Sequence, residues 1–163
     1  MDVNEIPAGL SVWERDVYQL LVEHVTTEAE VLSGYDELIE RSSDHVRFLL
    51  ELIAEDEARH HAVYERWVKS FEGLASLSQP EDGVPNLARE PEPEQLIPEL
   101  EKLLAFEGQD AKELKDLQKR FKDYRRTTIW PLLSELMALD TQKHIRILEF
   151  LLHHAKQTAR AGT

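Results

Sequence analysis

The sequence predicts an all-α fold, a four-helix bundle made of two antiparallel helix hairpins joined by a long crossover connection. Three observations predict it. Four stretches, each of about thirty residues, place apolar side chains every three or four positions, the repeat of one helix face. Two polar breaks, at Ser42-Ser43 and Thr127-Thr128, are short enough to turn a helix straight back on its predecessor. Between these two pairs lies a longer segment with Gly83 and the prolines Pro80, Pro85, Pro91 and Pro93 and few apolar residues.

The first helix, about 11–41, starts at Ser11, with Glu14 three residues on completing a capping box. Its inward face reads Val17, Leu20 or Leu21, His24, Glu28, Val31, Tyr35 and Leu38. The second, about 44–74, presents Val46, Leu49, Ile53, Glu57, His60, Tyr64, Val68 and Phe71. The crossover, about 75–93, reaches ~3.3 Å per residue and can travel the whole length of a bundle. It therefore lets the third helix start parallel to the second; a simple up-and-down order would waste that length. Helix three, about 94–125, shows Leu100, Leu104, Glu107, Ala111, Leu114, Leu117 and Phe121. Helix four, about 128–158, tolerates Pro131 in its first turn and presents Ile129, Leu133, Leu136, Asp140, His144, Ile147 and Leu151. Thr158 to Thr163 read as a frayed tail.

The 163 residues fit a single domain with a sizeable core. The 32 acidic and 19 basic residues leave a net charge of -13, which argues against nucleic acid, whose phosphates need clustered Lys and Arg. Cysteine is absent, so disulfides, thiolate zinc sites and iron–sulfur ligation are excluded. No apolar run approaches the ~20 residues of a membrane span, and no basic-then-apolar leader opens the chain. The expectation is a cytoplasmic protein that binds no membrane.

The chemistry lies where acids interrupt the apolar faces. Glu28, Glu57, Glu107 and Asp140 each stand at a position whose neighbours on the same face are apolar. A buried carboxylate without a partner costs several kcal/mol, so four of them at one depth require a shared counter-charge, most simply a pair of metal ions. Residues equidistant from a turn lie at equal depth in antiparallel helices. The midpoint of Glu28 and Glu57 falls on Ser42-Ser43, and that of Glu107 and Asp140 falls close to a turn at Arg125–Thr128. Each acid pair is thus expected to face across its own hairpin, roughly 20 Å from the turn for the first.

Histidines share these faces, His60 three residues after Glu57 and His144 four after Asp140. Asp110, one turn past Glu107 on the same face, is read either as a further oxygen or as a residue solvated at the edge of the core. Carboxylates that bridge and imidazoles that cap suit iron or manganese, and zinc also accepts the set. A lone Glu-x-x-His is common on helix surfaces; the matched depth of four acids is what separates this one. His24, one turn before Glu28, is read either as a residue orienting that carboxylate or as a core histidine bonded to backbone. His61, His153 and His154 are expected to face solvent or a neighbouring subunit. Tyr35 and Tyr64 read as packing aromatics. Lys143 puts an ammonium beside Asp140, where it competes with a cation.

Glu28 with Tyr35, Glu57-Ala58-Arg59-His60, Glu107 with Asp110, and Asp140-Thr141-Gln142-Lys143-His144 together resemble the ferritin-like di-iron carboxylate superfamily, in its rubrerythrin-like branch. The resemblance spans roughly residues 11–158. It departs in the fourth helix, where Asp140 is shorter than the usual Glu and the histidine comes four residues later instead of three. The branch's cysteine-bound, rubredoxin-like electron-transfer domain has no counterpart here.

The resemblance implies two iron ions, with manganese or zinc as substitutes. Glu28, Glu57, Glu107 and Asp140 would hold or bridge them, His60 and His144 would be terminal nitrogens, and Asp110 a movable oxygen. It implies rubrerythrin-like peroxide reduction or ferrous iron oxidation, a separate electron donor and a homodimer. Trp13, Trp67, Trp130, Phe48, Leu52 and Phe150 are available to cover the dimer interface. The alternative is a metal-depleted scaffold or dimeric interaction module, to which Thr141 and Lys143 point. An oxidase acting on an organic substrate would need a pocket beside the metals.

Overall fold

The computed structural model describes residues 6–78, 80–85, 87–121 and 128–161. Four helices carry almost all of them: α1 (Val12–Glu40), α2 (Asp44–Ala75), α3 (Pro93–Phe121) and α4 (Trp130–Ala161). No strand occurs among the described residues, so the all-α expectation holds. None of their helices is long and apolar enough to cross a membrane.

Local chemistry sets the boundaries. The Ser11 hydroxyl accepts from the Glu14 amide while the Glu14 carboxylate accepts from the Ser11 amide, the reciprocal box expected from sequence. After Glu40 the chain turns within three residues, and Ser43 is the extended cap residue of α2. Pro93 opens α3 with its φ already fixed for a helix, and the Glu92 carbonyl accepts from the Gln95 and Leu96 amides. One boundary differs from expectation, and another falls outside the described residues. Residues 122–125 of helix three and Arg125 to Thr127 of the second turn lie outside the described residues. The frayed tail is corrected: α4 continues through Thr158 to Ala161, because Thr158 is buried and its hydroxyl bonds the His154 carbonyl one turn back.

The chain forms two compact units, Met1–Asn86 and Leu87–Thr163, each built on one helix pair. In the first, Leu10, Leu21, Val68 and Phe71 are buried together, with Val17, Val25 and Tyr64 packed against them. Tyr18 bonds Glu72, His24 meets Tyr64 edge-on, and Glu28 meets His61. As the α1 number rises its α2 partner falls, so the two helices run in opposite directions. The start of the connection folds back on α2: the Arg66 guanidinium bonds the Gly83 carbonyl, Lys69 pairs with Asp82, and the Ser70 hydroxyl accepts from the Val84 amide. Gly73 admits this segment, because a Cβ there would collide with Pro80 and lie 2.7 Å from the Ser78 carbonyl oxygen.

In the second unit Leu100, Leu114 and Ala155 are the buried apolar residues. Glu101 meets Lys156, Glu107 meets His144, Asp110 meets Thr141, and Gln118 bonds the Ser134 carbonyl, again in opposed directions. The face α4 buries is Pro131, Ser134, Thr141, Ala155 and Thr158. Leu136, Asp140, His144, Ile147 and Leu151, expected inward, are exposed. Val46 and Ile53 on α2 are likewise exposed. Within its own unit each helix buries only the stripe facing the other helix of the pair, which is narrower than the apolar face legible in sequence.

Candidate metal centre

Counting from the expected turns sets Glu28 opposite Glu57 and Glu107 opposite Asp140. The observed contacts fall further along the later helix: Glu28 meets His61, four residues past Glu57, and Glu107 meets His144, four residues past Asp140. In the second pair the helix ends themselves, Phe121 and Trp130, set Glu107 level with His144. In the first pair side-chain lean is the cause. Each Cα–Cβ bond tilts toward the N-terminus of its own helix. In α1 this carries the tip away from the turn; in α2 it carries the tip toward it. A residue of α1 therefore meets one further along α2 than Cα depth alone predicts.

In the first unit Glu28 is only 6% exposed, Glu57 is half-buried and His60 is exposed. Each of the three offers a ligand atom, and these atoms lie within 4.8 Å of one another. They line a groove of about 510 Å³ with His24, Thr27, Val31, Val63 and Tyr64. His24 Nε2 lies 3.2 Å from Glu28 Oε1, and its ring meets Tyr64 edge-on at 4.2 Å between centroids. Of the two readings of His24, contact with the carboxylate is the one observed. Arg59, within Glu57-Ala58-Arg59-His60, pairs with Asp56.

His61 corrects an expectation. Its side chain is 22% exposed rather than solvent-facing, and Nδ1 lies 3.9 Å from Glu28 Oε2. Both of those atoms are buried and have no hydrogen-bond partner. Proximity to His60 hid it in the sequence: adjacent helical residues point about 100° apart, and the Glu-x-x-His pattern drew attention to the first of them. A signal was present in the four-residue spacing of Glu57 and His61, which puts both on one helix face.

In the second unit Glu107 is half-buried, and Asp110, Asp140 and His144 are exposed. All four line a groove of about 370 Å³ with Phe106, Met137 and Thr141. Protein donors and an imidazole already face each acid. His144 Nδ1 lies 3.3 Å from Glu107 Oε1. The buried Thr141 hydroxyl donates to Asp110 Oδ2 at 2.8 Å, and Lys143 Nζ donates to Asp140 Oδ1 at 2.6 Å. Among the described residues no second set of three ligand atoms lies as close together as the Glu28 set.

The two groups thus differ in what they lack. A carboxylate oxygen buried without a donor is costly, and Glu28 Oε2 is such an oxygen. Two carboxylates and an imidazole around it form a mixed oxygen–nitrogen set of the kind that divalent transition metals accept. The residues of the first unit therefore fit a metal ion. Those of the second unit supply the same donor types with much of their charge already answered. No protein-family model, curated protein or solved structure matches the chain.

Proposed function

We propose that this chain is a ferritin-like, rubrerythrin-like non-haem metal protein that holds two iron ions and reacts with hydrogen peroxide or dioxygen. The observation that carries the reading is the Glu28–Glu57–His60 group, with its orphaned, buried carboxylate oxygen. Glu28, Glu57 and His60 hold one ion; Glu107, Asp140 and His144 hold the other, with Asp110 as a movable oxygen. In this reading the two antiparallel hairpins belong to a ferritin-like four-helix bundle.

A bound ferrous pair supplies the two electrons that convert one peroxide and two protons into two waters. The chain's own residues set the conditions. Glu28 contributes fixed negative charge from a buried position, which favours the more highly charged ferric state. His24 orients Glu28 through Oε1. Val31 and Val63 line the groove beside the first group with apolar surface. These 163 residues contain no cysteine, so in this reading electrons come from a donor outside them or from ferrous iron itself. The exposed Trp13, Trp67, Trp130, Phe48 and Phe150 support a homodimer.

A second reading has its own observation. Lys143 on Asp140 and Thr141 on Asp110 answer much of the charge of the second group internally, which favours a protein that binds one ion, or a scaffold in which that group serves no metal.

Metal analysis of purified protein, then anaerobic ferrous titration and a peroxide or air pulse followed by absorbance, tests these readings. Two irons per chain, spin-coupled and oxidised faster by peroxide than by dioxygen, support the di-iron peroxidase. Faster reaction with dioxygen and continued iron uptake support ferrous iron oxidation. One iron per chain, or none, favours the second reading. Sedimentation at micromolar concentration tests the dimer.

A further inference from the structure

We propose that His61 is a ligand, through Nδ1, of the cation held by the first helix pair, with Glu28 Oε2 as the oxygen opposite it. This rests on the reading that Glu28, Glu57 and His60 bind metal, and it adds a nitrogen that the Glu-x-x-His pattern does not contain.

Four observations converge. Glu28 Oε2 and His61 Nδ1 are buried, face each other at 3.9 Å and have no hydrogen-bond partner. His61 Nε2 faces the Glu65 carboxylate at 3.6 Å, which favours the ring proton on Nε2 and leaves a lone pair on Nδ1. A carboxylate behind an imidazole in this way is the usual means of fixing the tautomer of a metal-binding histidine. Two lone pairs facing each other away from water are unfavourable, and a cation between them removes the conflict. The spacing permits it, because metal–nitrogen and metal–oxygen bonds of ~2.0–2.2 Å span at most about 4.2 Å.

The fourth observation is a geometry shared with the second unit: His61 and His144 both turn Nδ1 toward the glutamate of the preceding helix. His60 is exposed, its Nδ1 lies 3.9 Å from Glu57 on its own helix, and it offers a ligand atom within 4.8 Å of those of Glu28 and Glu57. In chain order His60 follows Asp56 by four residues as His144 follows Asp140, so His61 is an added nitrogen on the buried side of the group and His60 stands on its exposed side.

The test uses the full chain, labelled with nitrogen-15 and titrated with zinc, which is diamagnetic. Imidazole nitrogen spectra report each ring separately. The expected result is that one equivalent of zinc moves His61 Nδ1 to a metal-bound position while Nε2 keeps its proton. His61→Gln is then expected to weaken zinc binding by about tenfold or more, with the metal-free variant as helical as the parent by circular dichroism. A proton on His61 Nδ1, shared with Glu28, or an unshifted His61 while zinc moves His60, overturns the proposal and leaves the metal site standing. Zinc that perturbs none of Glu28, Glu57 and His60 overturns both. The wild-type spectrum decides the matter even if the variant does not fold.

Discussion

Lys143 Nζ lies 2.6 Å from Asp140 Oδ1, so an ammonium already occupies one side of a carboxylate expected to bind metal. Both side chains are about half exposed, and such a pair is worth ~0.2–1 kcal/mol. Replacing Lys143 by Met removes the competitor. We expect the second group to bind a divalent ion up to about fivefold more tightly, the fold equivalent of ~1 kcal/mol, with the first group unaffected. Calorimetric titration of parent and variant with manganese reads both steps. An unchanged second step would show that Lys143 does not compete.

Glu28→Gln tests the orphaned oxygen. The amide keeps the shape, removes the charge and can donate toward His61 Nδ1. Relief of an unsatisfied buried acceptor is worth about 1–3 kcal/mol, so the metal-free variant should melt above the metal-free parent. Added iron or zinc should raise the parent's melting temperature and leave the variant's unchanged. Equal response of both proteins to metal would remove Glu28 from the site.

Tyr18 donates to Glu72 at 3.3 Å across the first helix pair. Burial, then the charge of Glu72 and the hydrogen bond, push the phenol above its ordinary value of 10.0. Folding therefore favours the protonated ring. Its contribution is complete below pH 10 and fades as the pH rises through the elevated folded value. Tyr18→Phe should lack this alkaline loss. Urea unfolding of parent and variant between about pH 8 and 12, beside tyrosinate absorbance, measures the difference.

Gly73→Ala should destabilise the first unit by about 1–3 kcal/mol, because the new methyl meets Pro80 and the Ser78 carbonyl. Gly34→Ala is the contrasting case: nothing lies within 4 Å of the position, and replacing a helical glycine there should add about 0.5–1 kcal/mol. Denaturant midpoints of the two variants should move in opposite directions. A neutral Gly73→Ala would mean that the segment around Pro80 yields easily.

The helices were legible because their signals are local. The Ser11–Glu14 box, the Ser43 cap and Pro93 each act within one turn of a boundary. The site was legible in part. Acids on apolar faces marked Glu28, Glu57 and Glu107, and the structure brings Glu28 and Glu57 together with His60. What sequence spacing missed was which side chains meet, since counting from a turn compares backbones while contact depends on side-chain lean. That lean brings His61 to Glu28, while the ends of α3 and α4 set His144 level with Glu107. Asp140 is exposed, and the buried position beside it belongs to Thr141. The fold-back of the connection onto α2 depends on Arg66, Lys69 and Ser70 meeting residues 13 to 17 positions later. No periodic pattern announces those contacts.

The histidine-to-glutamate crossing in each unit links residues only roughly 35 positions apart. Closing so short a loop costs little entropy, and the cost grows only with the logarithm of loop length. The first crossing is therefore complete in sequence once α2 has left the ribosome, while α3 and α4 are still to be made. At ~5–20 residues per second the second crossing follows roughly 4–16 s later. On the two-ion reading proposed above, a nascent chain thus has time to capture its first ion before the second set of ligands exists, and the order of loading follows the order of synthesis.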